Sequence, residues 1–296
     1  MLADSARLHI AVQKSGRLSD LSRALLRDAG LRVQNGKNEL TARVENFPAD
    51  LMFVRDDDIP TFVADGVCEL GIVGGNVLRE FELGEAGSRC DVVAPLGFGR
   101  CTLMLAAPDA QSWDGARSLD GARIATSYPR TVQNFLDERQ IAATVVTMNG
   151  AVELAPRLGI APFICDLVST GATLEANGLR ALETVFESEA VLVRTRKPVS
   201  PARQEQIDGL LSRIDGVLAT KESKYIMLNA PGAALPAISA LLPGAGAPTI
   251  LPLHERPGHF AVHAVCQESV FWETLQKLKA NGASAILVLP IEKMMM

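Results

Sequence analysis

Residues 49–75 read ADLMFVRDDDIPTFVADGVCELGIVGG, and this stretch decides the fold class. Ala49 to Val54 is an apolar run of strand length. Arg55-Asp56-Asp57-Asp58-Ile59-Pro60 follows, with acids ahead of a proline. That order predicts a helix start, because the unpaired N–H groups of a first turn welcome negative charge and proline gives up no needed donor there. Glu69 to Val73 is a second apolar run and ends in Gly74-Gly75. Strand, helix and strand in so short a space predict a β-α-β unit with a right-handed crossover.

Working outward, Leu8 to Val12 reads as an earlier strand. Gly16 follows, and Ser19 or Asp20 is expected to cap a helix whose apolar positions include Leu21, Leu25 and Leu26 and which stops at Gly30. The pattern restarts after about residue 100. Cys101 to Ala106, Arg123 to Thr126, Phe163 to Asp166 and Val191 to Arg194 read as strands. Helices are expected through Phe135 and Leu136 and over 203–216, where Ile207, Leu210, Leu211 and Ile214 share a face. The chain is therefore expected to be α/β, with one lobe over 1–100 plus a return segment at about 186–216, and a second over 101–185. Residues 217–296 follow a β-α-β-β-α-β order, the signature of a small ferredoxin-like unit.

Composition narrows the function classes. The chain has 296 residues, 48% hydrophobic and 21% charged, so it can bury a sizeable core without staples. Its 29 basic and 34 acidic residues give a net charge of −5, and aromatics are 5%. Both facts argue against a sequence-blind nucleic-acid binder. Gly, Pro or charge interrupts every apolar run before about 18 residues, so no membrane span is expected. Cys68, Cys90, Cys101, Cys165 and Cys266 show no CxxC spacing, and together with a start unlike a secretory signal they predict a reducing cytoplasm and buried thiols. His254, His259 and His263 lie close in sequence, but the last two fall in an alternating, strand-like segment and read as structural rather than as zinc ligands.

The stretch with most chemistry is Asp166-Leu167-Val168-Ser169-Thr170-Gly171-Ala172-Thr173-Leu174-Glu175-Ala176-Asn177-Gly178. A strand ends at an acid, and hydroxyls with a glycine open a short helix. Unpaired N–H groups, hydroxyl donors and a glycine that lets a bulky anion approach form a phosphate cradle. Plain N-capping by Ser169 or Thr170 is the competing reading. No GKS or GKT is present, so this is not a Walker loop.

Asp166 to Gly178 resembles the phosphoribosyl-diphosphate loop of the ATP phosphoribosyltransferase family. Further matches follow in the family's order: Gln13-Lys14-Ser15-Gly16-Arg17-Leu18, Val54 to Pro60, Leu70-Gly71-Ile72-Val73-Gly74, Ala125-Thr126-Ser127-Tyr128-Pro129, Glu222-Ser223-Lys224-Tyr225 and Ile286 to Lys293. Gly75 departs from the charged or polar residue often found there. The tail resembles that of the long, self-regulated form.

The resemblance implies two lobes of type II periplasmic-binding-protein-like fold and an ACT-like regulatory tail. It implies transfer of phosphoribose from phosphoribosyl diphosphate to N1 of the ATP adenine, with Mg²⁺, as the committing step of histidine biosynthesis. Histidine and AMP would inhibit, and the chain would form homodimers that assemble into hexamers. Carried onto this sequence, Ser169, Thr170, Gly171, Ala172 and Thr173 would hold the 5′-phosphate, and Asp166 and Glu153 the ribose hydroxyls. Arg55 would hold the departing pyrophosphate, with an ion pair to Asp56 or Asp58 as its plainer role. Lys14 and Arg17 would meet phosphates and Tyr128 the adenine. Leu228, Asn229 and Thr249 would receive regulatory histidine. The rival class is a two-lobed solute-binding protein that performs no chemistry.

Overall fold

Leu8–Gln13 forms β1 and is buried along nearly all of its length. A strand apolar on both faces belongs inside a sheet covered on both sides, which is where parallel strands occur. The computed structural model describes residues 7–34, 40–84, 89–169, 171–221, 223–242, 244 and 246–294. The chain forms two units, one from residues up to Arg27 with Leu31–Ile207, the other from Asp28–Gly30 with Asp208 onward.

In the first lobe of the first unit, β1 is followed by α1 (Ser19–Asp28), β2 (Thr41–Arg43), β3 (Ala49–Val54), α2 (Ile59–Ala64), β4 (Leu70–Gly74), α3 (Gly75–Glu82) and β5 (Cys90–Pro95). The second lobe holds β6 (Cys101–Pro108), β7 (Arg123–Thr126), α4 (Pro129–Arg139), β8 (Thr144–Thr147), β9 (Phe163–Val168), α5 (Ala172–Ala176) and β10 (Leu179–Ser188). The chain then returns as β11 (Ala190–Thr195) and continues into α6 (Pro201–Leu218). The two sheets run β2-β3-β1-β4-β11-β5 and β10-β6-β9-β7-β8. Each lobe has three parallel strands, flanked by antiparallel β2 and β11 in the first and by antiparallel β6 in the second. The architecture is α/β with mixed sheets.

Glycine permits a close helix contact in the first lobe. A Cβ on Gly71 of β4 would lie 2.8 Å from methyls of both Ile59 and Val63, so α2 packs directly on bare backbone. The start of α1 differs from the expected cap. Leu18 N–H donates to Gln13 Oε1 at 2.9 Å, and Ser19 Oγ donates back to Lys14 O at 3.1 Å. The Ser19 hydroxyl is thus spent on a carbonyl that precedes the helix.

The second unit contains β12 (Ser223–Pro231), α7 (Leu235–Leu241), β13 (Thr249–Pro252), β14 (His259–Gln267), α8 (Glu268–Ala280) and β15 (Ser284–Pro290), with strands ordered β13-β14-β12-β15. All its strand pairs are antiparallel, and β12 and β14 alternate. Ile226, Leu228, Ala230, Val262 and Ala264 face Ile238, Phe271 and Leu278 in one core. Tyr225, Leu251, Leu287 and Leu289 lie on the opposite, open face.

Candidate active site at the carboxyl ends of two sheets

In the first lobe Gln13 is in register with Val54, and Ala11 with Gly71. The segments leaving β1, β3 and β4 therefore emerge at one edge and carry Lys14, Arg55 and Gly75 with them. In the second lobe Thr126 is in register with Thr147 and with Cys165, so Tyr128 and Asp166 also leave at one edge. Ligands of open parallel sheets bind beyond such carboxyl ends. A hydrogen bond joins the two edges: Asn76 Nδ2, on α3, donates to the Tyr128 hydroxyl at 2.9 Å. Ser188 Oγ accepts from Asn76 N–H and donates to Asn76 Oδ1, both at 2.9 Å. Gly75 N–H donates to Glu189 O at 2.8 Å, and a Cβ there would stand 3.2 Å from the same oxygen. This close approach suits the glycine found at that position.

The acids converge on Tyr128. Burial pushes its hydroxyl well above the ordinary phenol range; the Asn76 hydrogen bond opposes this, and Asp56, Asp166 and Asp57 add to it. One hydroxyl thus senses carboxylates from both lobes. The Asp166 carboxyl is raised chiefly by burial, lowered by the Leu167 N–H that it accepts at 2.8 Å, and raised again by Glu153. Glu153 sits in a 3-10 turn over Val152–Leu154, entered through Ala151 at φ 51°. Asp57 is raised by burial and then by Asp56 and Asp58, against the pull of Arg55. Arg55 directly follows β3 and is exposed, with no carboxylate within ion-pairing distance among the described residues.

Past Asp166, β9 continues to Val168 rather than ending at the acid. Ser169 borders a cavity of about 520 Å³ with Arg100, Thr102, Glu187 and Ser188. Thr170 lies outside the described residues. Gly171 has φ 81°, and α5 has only five residues, with Ala172 and Thr173 exposed in its first turn. A helix this short has little dipole, so any anion binding rests on its N–H groups and hydroxyls. Lys14 is exposed, and the Arg17 guanidinium donates to Gly99 O.

The three residues expected to hold histidine do not share a surface. Leu228 is fully buried toward the helices, whereas Asn229 and Thr249 fall on the other face of the sheet. Strand alternation separates adjacent residues in this way, so Leu228 offers no side chain to a ligand there. His263 Nδ1 is 2.7 Å from the Tyr225 hydroxyl, and His259 lies on the same strand. Asn76, Glu80, Thr131 and Ser188 were not read from the sequence. Each is an ordinary polar residue whose role depends on a partner distant in the chain.

The ATP phosphoribosyltransferase (HisG) family model matches residues 55–216, more than half of the chain. The chain belongs to the ATP phosphoribosyltransferase family. The HisG C-terminal domain model matches residues 220–293. A structure titled as the ATP phosphoribosyl transferase (HisG:HisZ) complex from Thermotoga maritima is 26% identical, with TM-score 0.60, over 72% of this chain and 98% of that one. Two others are more distant. Tv2483 bound to L-arginine is 12% identical, with TM-score 0.49, over 71% of this chain and 84% of that one. The periplasmic VFT2 domain of Bordetella pertussis BvgS is 18% identical, with TM-score 0.44, over 72% and 88%.

This ATP phosphoribosyltransferase is thus a transferase of histidine biosynthesis. All five cysteines are free and buried, and burial pushes the Cys68 thiol to about 12 and Cys90 to about 11, so neither is a thiolate at neutral pH. Among the described residues no helix is long and apolar enough to cross a membrane.

Proposed function

We propose that the carboxyl-edge site joins N1 of the ATP adenine to C1′ of phosphoribosyl diphosphate. The C1′–O bond to pyrophosphate breaks as the C1′–N1 bond forms. Adenine N1 is unprotonated at neutral pH, so no strong general base is required. Positive charge develops at C1′ and negative charge on the leaving group, and the rate rests on positioning and charge stabilisation. The carrying observation is the Asn76–Tyr128 hydrogen bond, which brings the carboxyl edges of the two lobes together in a chain of this family.

In this reading Asp166 and Glu153 accept from the ribose hydroxyls, and Ser169, Thr170, Gly171, Ala172 and Thr173 receive the 5′-phosphate. Arg55 takes the pyrophosphate with its two-pronged fork. Lys14 and Arg17 supply positive charge to phosphates. Tyr128 already accepts from Asn76, which leaves its proton to give to the purine. Mg²⁺ would enter mainly on substrate phosphates, where it neutralises charge as pyrophosphate departs. Among the described residues no three acids, histidines or cysteines cluster as a ready-made metal site, which suits an ion carried in on substrate.

The second unit is proposed as an ACT-like regulatory domain, and the lobes of the first as periplasmic-binding-protein-like. Its β-α-β-β-α-β order supports the former, and the matching 2-1-3 order of parallel strands in both lobes the latter. The catalytic region then covers 1–100 with 186–216 and 101–185, and the regulatory domain 217–296. Histidine and AMP would inhibit, Asn229 and Thr249 remaining as candidate histidine contacts. Assembly from dimers to hexamers is supported by the open sheet face of the second unit, where Leu251, Leu287 and Leu289 are about half exposed. Free, buried thiols fit a cytoplasmic enzyme.

Incubation with ATP, phosphoribosyl diphosphate and Mg²⁺ tests the reaction. The N1-substituted adenine absorbs differently from ATP in the ultraviolet, and its appearance should depend on both substrates. No new chromophore at high protein concentration would reject the assignment.

A further inference from the structure

Helix α4 does not cap itself. Its N-cap residue, Tyr128, makes no side-chain capping bond, and Pro129 has no N–H to offer. The next two donors, Arg130 N–H and Thr131 N–H, would be orphans. Both go to a residue of the other lobe: Arg130 N–H donates to Glu80 Oε1 and Thr131 N–H to Glu80 Oε2, each at 2.8 Å. Thr131 Oγ1 donates to the same Oε2 at 2.7 Å. A carboxylate at a helix N-terminus is well placed for both charge and hydrogen bonding.

Glu80 does not act alone. Asn76 lies one turn earlier on α3 and holds the Tyr128 hydroxyl at 2.9 Å. Gly84 follows just past the end of α3, and a Cβ there would collide with the Arg130 guanidinium. Residues spaced by four on a helix share a face. One face of a first-lobe helix therefore meets the residue that leaves β7 and the first turn of α4 in the second lobe. Thr131 is 5% exposed and Asn76 3%, so water replaces their bonds poorly while the lobes stay together, whereas the Arg130 bond is exposed.

We propose that α3 clamps the two lobes and that Glu80, by supplying the cap α4 lacks, is a positioning residue for the transfer reaction. The second half rests on the activity proposed above. Glu80 touches no substrate; it sets where Tyr128 and the second-lobe edge stand relative to the first-lobe edge. Separation of the lobes would strand the Arg130 and Thr131 donors, so the cap favours the closed arrangement.

Two measurements on the full chain decide this. Amide hydrogen exchange over residues 129–133 should speed up in Glu80→Ala while peptides of β6 keep their protection. Unchanged exchange at Arg130 and Thr131 overturns the clamp. Steady-state kinetics should then show kcat lower by about 10- to 100-fold in Glu80→Ala, as small misplacements of reacting groups cost. The KM for either substrate should change little, and Glu80→Gln, which keeps an acceptor oxygen, should recover part of the loss. Faster exchange with wild-type kcat reduces Glu80 to a structural cap and overturns the positioning role. A wild-type chain that forms no N1-substituted adenine fails the activity assignment and the positioning role with it, whereas the exchange result still decides the clamp.

Discussion

Arg55 keeps its fork unspent among the described residues, and this singles it out in a stretch otherwise filled with acids. Arg55→Lys preserves charge but loses the paired geometry. Loss of one hydrogen bond to a charged group costs about 1.5–3 kcal/mol. The expected outcome is a lower kcat with ATP binding nearly unchanged, checked by steady-state kinetics beside equilibrium binding; a normal kcat would return Arg55 to a surface role. Asp166 carries the opposite kind of prediction. Burial and Glu153 raise its folded pKa above the unfolded value of about 3.9. Its contribution to stability is therefore full below the unfolded pKa and lost as pH rises through the folded one. Asp166→Asn, which can still accept from Leu167 N–H, should raise the Tm of the ligand-free protein at neutral pH and abolish activity. The Tm gain should shrink as pH falls toward 4, and a gain that grows on acidification would contradict the sign. A carboxylate retained at a cost in stability is what a functional site leads one to expect.

Among the elements, β4 and the turn before α5 both depend on glycine, for different reasons. At Gly71 the constraint is space: an alanine Cβ would lie 2.8 Å from two branched methyls of α2. Overpacking of this kind costs about 1–3 kcal/mol, so Gly71→Ala should lower the urea midpoint with its m-value unchanged. At Gly171 the constraint is the backbone, since φ is 81° and a Cβ would meet nothing within 4 Å. Gly171→Ala should cost about 1–2 kcal/mol of left-handed strain. If the turn holds the 5′-phosphate, the KM for phosphoribosyl diphosphate should rise as well. Strands β1, β3 and β4 were legible because continuous apolar runs between turn residues mark buried parallel strands. Strand β10 was not, because irregularities between Ala181 and Glu183 and between Thr184 and Phe186 break its period of two. Strands β5 and β8 are largely exposed and short of apolar signal.

For the molecule as a whole, the Thermotoga chain matches over 98% of its length while using 72% of this one. Separate family models match residues 55–216 and 220–293, which sets the second unit apart in sequence. Truncation after about Gly216, in the last turn of α6, should leave the Arg55 and Asp166 edges in place and retain some activity. Histidine inhibition should be lost if the second unit is the sensor. Coupling between distant sites is typically about 1–3 kcal/mol, enough to measure by titration calorimetry and by inhibition curves. Equal histidine binding by the full and shortened chains would refute this division of labour.

Local order was written in the sequence by itself: the strand, helix and strand of residues 49–75, the restart after residue 100, and the β-α-β-β-α-β tail all follow from apolar periods and turn residues. The Asp166 loop offered its acid and hydroxyls as a motif, while the structure carries β9 past the acid to Val168. Only the tertiary structure decided which edges meet. Tyr128 finds Asn76, Glu80 finds the first turn of α4, and Ser188 closes on Asn76 across 112 residues of chain. The tertiary structure also removed Leu228 from the surface it was expected to share with Asn229 and Thr249. The physical reason is common to these cases. Apolar periodicity reports the burial of an element, whereas a polar pair depends on the relative placement of two elements, which no local pattern encodes.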